Sequence, residues 1–203
     1  MSVSTPQTLL LVLFKSTETP INPIVQFVLS SLGKINIYES IVPNNNQGWT
    51  HACICSIDDE QTLRNIDSSS IIENIKKDGH VENVLLAPLL FSIECVKDRS
   101  SDPNNDIMFI IGFSLPKERK EDFPQDWFKA TPYMSGCEGY KRATVYEVVA
   151  ENPVFPFFNI ATWANFDSWK QAIGTEESKR VHAHQDYVGR TPFICKQVNF
   201  TST

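Results

Sequence analysis

Few residues in this chain have the type and spacing for chemistry, and the histidines come first. His182 and His184 stand two apart near the end of a segment with helical periodicity. On a helix they point about 200° apart, so they cannot hold one metal ion from one face. A metal pair would need the i, i+4 spacing of HExxH. A single neutral imidazole remains useful as an axial haem ligand, and Asp186 follows His182 by four residues, where it could orient or charge the ring. The plainer reading of His182 is a solvated histidine favoured by the dipole at a helix C-terminus.

His51, Cys53 and Cys55 alternate along one strand and share a face. Three residues in a row on a strand span too far for a compact tetrahedral site, so packing is the better reading. Cys137 lies beside Gly136 in a turn-like stretch, with no histidine or asparagine near it in sequence to make it a nucleophile. No metal site is expected. P-loop, GxGxxG and GxSxG patterns are absent, as is any CxxC pair. Aromatic residues crowd the second half: Phe113, Trp127, Phe158, Trp163 and Trp169 are the candidates to line a pocket. A large aromatic core is the alternative.

The elements that must position these residues follow from periodicity. Residues 8–14 form a continuous apolar run of strand length. Ile24, Val25, Phe27, Val28 and Leu32 recur at helical spacing before Gly33. Strands are predicted over 35–42 and 51–57, a helix with an acidic first turn from 58, re-capped near Ser68, and a strand within 85–96. Residues 97–106 are charged and rich in Ser, Pro and Asn, a linker by composition. The order then recurs: a strand over 107–115, helix over 116–134, strands over 137–150 and 155–163, one helix from Asn165 or Asp167 past Val181, and a strand over 192–200. Sliding the first half forward by about 106 positions lays Ile57 on Trp163, Leu63 on Trp169, Ile66 on Ala172 and Ile75 on Val181. Each half therefore reads as a βαββαβ, ferredoxin-like unit, with boundaries at 1–98, 99–106 and 107–203.

The 203 residues carry a formal charge of -6, with a pI near 5.2. An acidic chain of ordinary globular composition argues against a nucleic-acid-binding surface. The longest N-terminal apolar run is too short for a membrane span, and no basic region or small-residue cleavage site flanks it. Five scattered cysteines suit a reducing compartment. A cytoplasmic location is expected.

The second half resembles the antibiotic-biosynthesis-monooxygenase and haem-degrading-monooxygenase families. The resemblance rests on Phe113-Ser114-Leu115 and the stretch Pro132-Tyr133-Met134-Ser135-Gly136-Cys137-Glu138-Gly139-Tyr140. Ile160-Ala161-Thr162-Trp163, Phe166-Asp167-Ser168-Trp169 and Ser178-Lys179-Arg180-Val181-His182-Ala183-His184 complete it. It implies an α+β fold in which two tandem ferredoxin-like units pack as a dimeric α/β barrel, within one chain or with a second copy. It implies a monooxygenase-like pocket for a flat hydrophobic substrate, haem among the candidates, with no other cofactor. Haem degraders place an iron-binding histidine late on the second helix, where His182 falls. Their supporting tryptophan aligns with Ala172, one turn after Trp169, and their asparagine near the end of the first strand aligns with Phe113. A non-catalytic binding or assembly module on the same fold is the alternative.

Overall fold

The computed structural model describes residues 8–17, 34–42, 48–77, 79–102 and 104–198. The helix expected over residues 24–32 and most of the loop after Val42 lie outside them.

Eight strands close into one antiparallel barrel. The first half supplies β1 (Thr8–Ser16), β2 (Lys34–Ser40), β3 (His51–Ser56) and β4 (Val81–Val96). The second supplies β5 (Ile107–Ser114), β6 (Tyr140–Val148), β7 (Phe157–Trp163) and β8 (Gly189–Gln197). Around the barrel the order is β1-β3-β2-β8-β5-β7-β6-β4, with β4 returning to β1. Each half thus has the ferredoxin-like order, fourth strand beside first, then third, then second. Two seams join the halves. One pairs β4 with β6 from Leu89↔Val148 to Val96↔Arg142; the other is short and pairs Tyr38, Glu39 and Ser40 of β2 with Gln197, Lys196 and Cys195 of β8.

Strand alternation sorts side chains into an inner and an outer layer. Leu9, Leu11 and Leu13 of β1 meet Ile110, Tyr146, Phe158 and Phe193 inside the barrel. Leu10, Val12 and Phe14 face outward onto Leu63, Ile71 and Ile75. The run over β1 is continuously apolar because both of its faces are covered. Gly112 faces inward, where a Cβ would stand 2.9 Å from Phe155 Cγ and 3.1 Å from Phe158 Cε1. The interior is a packed core.

Helices cover the outer faces. In the first half these are α1 (Glu60–Arg64) and α2 (Ser68–Lys76), capped by Asp59 on Thr62 N and by Asp67 on Ser70 N. In the second half they are α3 (Phe123–Phe128), α4 (Thr131–Gly136), α5 (Phe166–Ile173) and α6 (Glu176–His182). The structure differs here from the periodic reading. The helical stretch expected over 116–134 is a 3-10 turn (Lys117–Arg119) followed by α3 and α4, because Pro124 and Pro132 each sit in the first turn of a helix. The single helix expected after Asn165 breaks at Gly174, and Thr175 caps a second helix through Ser178 N. β4 starts at Val81, β6 at Tyr140 and β7 at Phe157. Phe155 stands outside the last of these and packs edge-on against Trp49 and Phe158. No helix among the described residues is long and apolar enough to cross a membrane.

Candidate active site

The gap between the outer face of the second half-sheet and α3–α6 holds a cavity of about 420 Å³. That is within the usual size range for a small-molecule site. Outward residues of the strands make its floor: Phe109, Ile111 and Phe113 of β5, and Asn159, Ala161 and Trp163 of β7. Trp127 of α3, Met134 of α4, Trp169 and Ile173 of α5, and Ser178 and His182 of α6 form the roof. Gln185 and Arg190 close one end.

Aromatic packing fixes these walls. Trp169 stacks on Phe109 with ring centroids 4.2 Å apart. Trp163 meets Tyr140 edge-on at 5.3 Å. Phe123 wedges between Phe113 and Phe157, 4.8 Å from each, and anchors α3 to the sheet. Tyr140 and Thr131 spend their hydroxyls on the carbonyls of Cys95 and Phe128. The surface they offer the cavity is therefore apolar and flat-walled.

Ser178, His182, Asn159, Gln185 and Arg190 punctuate it. His182 is half-buried, and its Nδ1–H donates to the Ser178 carbonyl one turn earlier at 2.7 Å. Ser178, not Asp186, orients the ring. Nδ1 carries the proton in that pairing, so Nε2 keeps a lone pair, with no partner among the described residues. Burial pulls the His182 pKa down, the Ser178 bond opposes this, and the charge on Arg190 adds to the lowering. The imidazole is neutral at neutral pH, as a base must be.

Asn159 is 7% exposed, and its Oδ1 is buried without a hydrogen-bond partner. It stands between Ile111 and Val145 in register, on the same face of β7 as Ala161 and Trp163. An unpartnered amide oxygen at the floor of an apolar cavity is costly, and a ligand that carries a donor would satisfy it. Arg190 donates from Nη2 to Gln185 Oε1 at 2.6 Å and from Nη1 to the Val188 carbonyl at 3.4 Å. Among the described residues no carboxylate pairs with it.

The wall behind these groups is pinned at Asp126. Its carboxylate accepts from Lys129 at 2.7 Å, Tyr187 at 2.8 Å and Arg119 at 3.0 Å. Lys129 foremost, with Tyr187 and Arg119, holds the carboxyl down at about 2 against the effect of burial. The Asp126 carbonyl accepts from His184 Nε2–H at 2.6 Å and from Gln185 at 3.0 Å. The two histidines thus diverge as their spacing requires: His182 lines the cavity, and His184 ties α3 to the turn after α6.

Of the residues singled out in the sequence, His182, Trp169, Trp163, Phe113 and Trp127 come together around this cavity. Phe158 does not: it points into the barrel with Phe155 and Phe193, because its neighbours Phe157 and Asn159 take the outward positions of β7. Asn159, Arg190, Gln185 and Ser178 were not singled out. Asn159 had a readable signal, a lone polar residue on the aromatic outward face of a strand. His51, Cys53 and Cys55 share the outer face of β3, where His51 stacks on Phe14 at 5.5 Å. No group of three or more metal-ligating side chains is assembled among the described residues.

Haem fits this lining poorly. His182 offers a free imidazole nitrogen, but among the described residues Arg190 is the one permanent cation lining the cavity, and it is already bonded to Gln185. Two propionates would need more.

No family profile and no curated relative matches the chain. Solved structures do. An anthrone oxidase-like protein superposes with a TM-score of 0.72 at 10% identity, over 98% of this chain and 94% of its own. A mutant chlorite dismutase from Candidatus Nitrospira defluvii gives 0.65 at 9% identity, over 97% and 93%. An inferred monooxygenase from Lactobacillus acidophilus NCFM gives 0.59 at 12% identity, over 94% and 92%. Both halves are matched in each case, and at these identities the likeness is one of fold. With its closed strand order and outer helices, the chain has a dimeric α/β-barrel type of fold, both ferredoxin-like units being carried on one polypeptide.

Proposed function

We propose that the chain is a monooxygenase of the cofactor-independent kind, acting in the cytoplasm on a flat, weakly acidic aromatic molecule bound between the second half-sheet and α3–α6. The observation that carries this is the presence of a neutral His182 and an unpartnered Asn159 Oδ1 in one cavity walled mainly by aromatic and aliphatic side chains. The unit boundaries at residues 1–98 and 107–203 belong to the same reading.

The chemistry follows from those groups. His182 Nε2 takes a proton from an activated methylene of the substrate. The negative charge spreads onto the conjugated oxygen, where the Arg190 charge stabilises it, while Asn159 Oδ1 accepts from a hydroxyl on the substrate. The carbanion reduces dioxygen, and a carbon–oxygen bond forms to give a hydroperoxide. The second methylene hydrogen leaves as a proton while the O–O bond breaks, and the departing hydroxide takes up a proton to leave as water. In balance, the methylene and dioxygen become a carbonyl and water, with the substrate supplying all the electrons. The apolar walls keep bulk water from the carbanion.

Anthrone suits the test, since its methylene lies between two aromatic rings and the anthrone oxidase-like protein shares the fold. Oxygen uptake and anthraquinone absorbance are followed for the wild type and His182→Ala. The expected result is turnover that falls about 100-fold or more in the variant, with an acid limb set below the ordinary imidazole value. Saturable binding without turnover would replace the enzyme by a binding module. A hemin titration run alongside, giving a Soret shift that His182→Ala abolishes, would replace it by a haem protein.

A further inference from the structure

We infer that Gln185 is a positioning residue, which holds the Arg190 guanidinium at the end of the cavity to receive an anionic group on the ligand. The inference rests on the proposed reading of the cavity as a substrate site.

Gln185 is 2% exposed, in the 3-10 turn (Ala183–Gln185) between α6 and β8. A glutamine so deeply buried must satisfy both ends of its amide. It does so in opposite senses: Nε2 donates to the Asp126 carbonyl at 3.0 Å, and Oε1 accepts from Arg190 Nη2 at 2.6 Å. A flipped amide would set donor against donor at one end and acceptor against acceptor at the other. The orientation is thereby fixed by the network.

The far end of this bridge does not give. Asp126 is held through its carboxylate by Lys129, Tyr187 and Arg119, and Arg119 also lies over the Tyr187 ring at 4.3 Å. The near end has little else to hold it. The other Arg190 bond, to the Val188 carbonyl, is long at 3.4 Å. A guanidinium has five donors, and these two bonds leave donors for a ligand. Arg190 is partly exposed and its charge meets no carboxylate among the described residues, so its free donors suit a carboxylate or phenolate on a flat ring.

The test uses tryptophan fluorescence, since Trp127, Trp163 and Trp169 line the cavity. Anthracene-2-carboxylate and neutral 2-methylanthracene are titrated into the full chain at neutral pH. Wild type is expected to favour the carboxylate by about tenfold or more, the worth of a charged hydrogen bond. Arg190→Met removes that preference. Gln185→Met, of similar length, removes most of it, read as the ratio of the two affinities, in which any change common to both ligands cancels. Gln185→Glu removes it too, because its own carboxylate neutralises Arg190. A Gln185→Met protein that keeps the preference overturns the inference and leaves the role of Arg190 intact. Loss of both ligands in Gln185→Met also overturns it, since Gln185 would then be a structural prop. A wild type without preference, or an Arg190→Met protein that retains it, refutes the reading of Arg190 and the inference with it.

Discussion

Replacing Asn159 by leucine removes the orphaned amide at the cavity floor and puts an apolar side chain of similar reach in its place. In the empty protein this should stabilise the fold. Asn159 is 7% exposed and its Oδ1 has no partner. An unsatisfied buried polar group costs about 1–3 kcal/mol. Water entering the cavity recovers part of that cost, which brings the expected gain to about 1–2 kcal/mol. For a chain of this length each kcal/mol moves the midpoint by about 2–4 °C, so Tm should rise by about 2–8 °C. The assay is thermal unfolding followed by near- and far-UV circular dichroism, whose coincidence checks two-state behaviour. Turnover of a hydroxyl-bearing anthrone in the same variant should fall, because Asn159 Oδ1 is the acceptor for that hydroxyl. An unchanged or lowered Tm would refute the reasoning: the amide would then be satisfied at home, and its place in the site would lose its physical basis. A raised Tm with full turnover would keep the desolvation argument and remove Asn159 from the chemistry.

Two further outcomes follow from the barrel and from the buried imidazoles. Gly112→Ala places a methyl 2.9 Å from Phe155 Cγ inside a filled core, so the urea midpoint should fall by the equivalent of about 1–3 kcal/mol with an unchanged m-value. His51 and His182 both have pKa values lowered, chiefly by burial, against the opposing effects of Glu39 and the Ser178 bond respectively. The unfolded chain therefore binds protons first as pH falls. Stability is fully present above the unfolded imidazole value of about 6.5 and is lost as pH drops below it toward the folded values. The urea midpoint should be lower at pH 5.5 than at pH 7.5, and equal midpoints would refute the assignment.

Much of this architecture was legible because it rests on alternation. A run such as Leu9–Phe14, apolar at every position, suits a strand covered on at least one face, and β1 is covered on both, by the core and by α1–α2. The aromatic residues of the second half point to the helix–sheet gap because Trp163, Phe113 and Phe109 occupy outward positions. The same rule excludes Phe158. It lies five residues from Trp163 on one strand, and an odd separation puts two side chains on opposite faces. Helix ends were harder. Asn165 and Asp67 are recognisable caps, but the break at Gly174–Thr175 interrupts an apolar pattern that runs smoothly from Phe166 to Val181. Gln185 and Arg190 were not legible at all. One sits in a tight turn and the other at a strand start, and their meeting depends on a carbonyl of α3 about sixty residues earlier in the chain.

A barrel made from two copies of one unit must carry two identical sites. With both units on one chain the two outer faces need not match, and here they differ. The place on β3 that corresponds to Asn159 on β7 is Cys53, by the same slide that sets Ile57 on Trp163. Cys53 and Cys55 are both buried on that face. Burial pushes the Cys55 thiol up to about 12 and the Cys53 thiol well above its ordinary value. Neither is a nucleophile under those conditions. Among the described residues this face is packed by Leu63, Ile71 and Ile75 from α1 and α2, whereas α3–α6 stand off their sheet and leave room for a ligand. The first unit closes the sheet through β4–β6 and β2–β8 and presents an apolar outer face. The second keeps the neutral imidazole, the unpaired amide and the uncompensated guanidinium. The molecule is thus asymmetric: one half completes the barrel and the other bears the candidate chemistry.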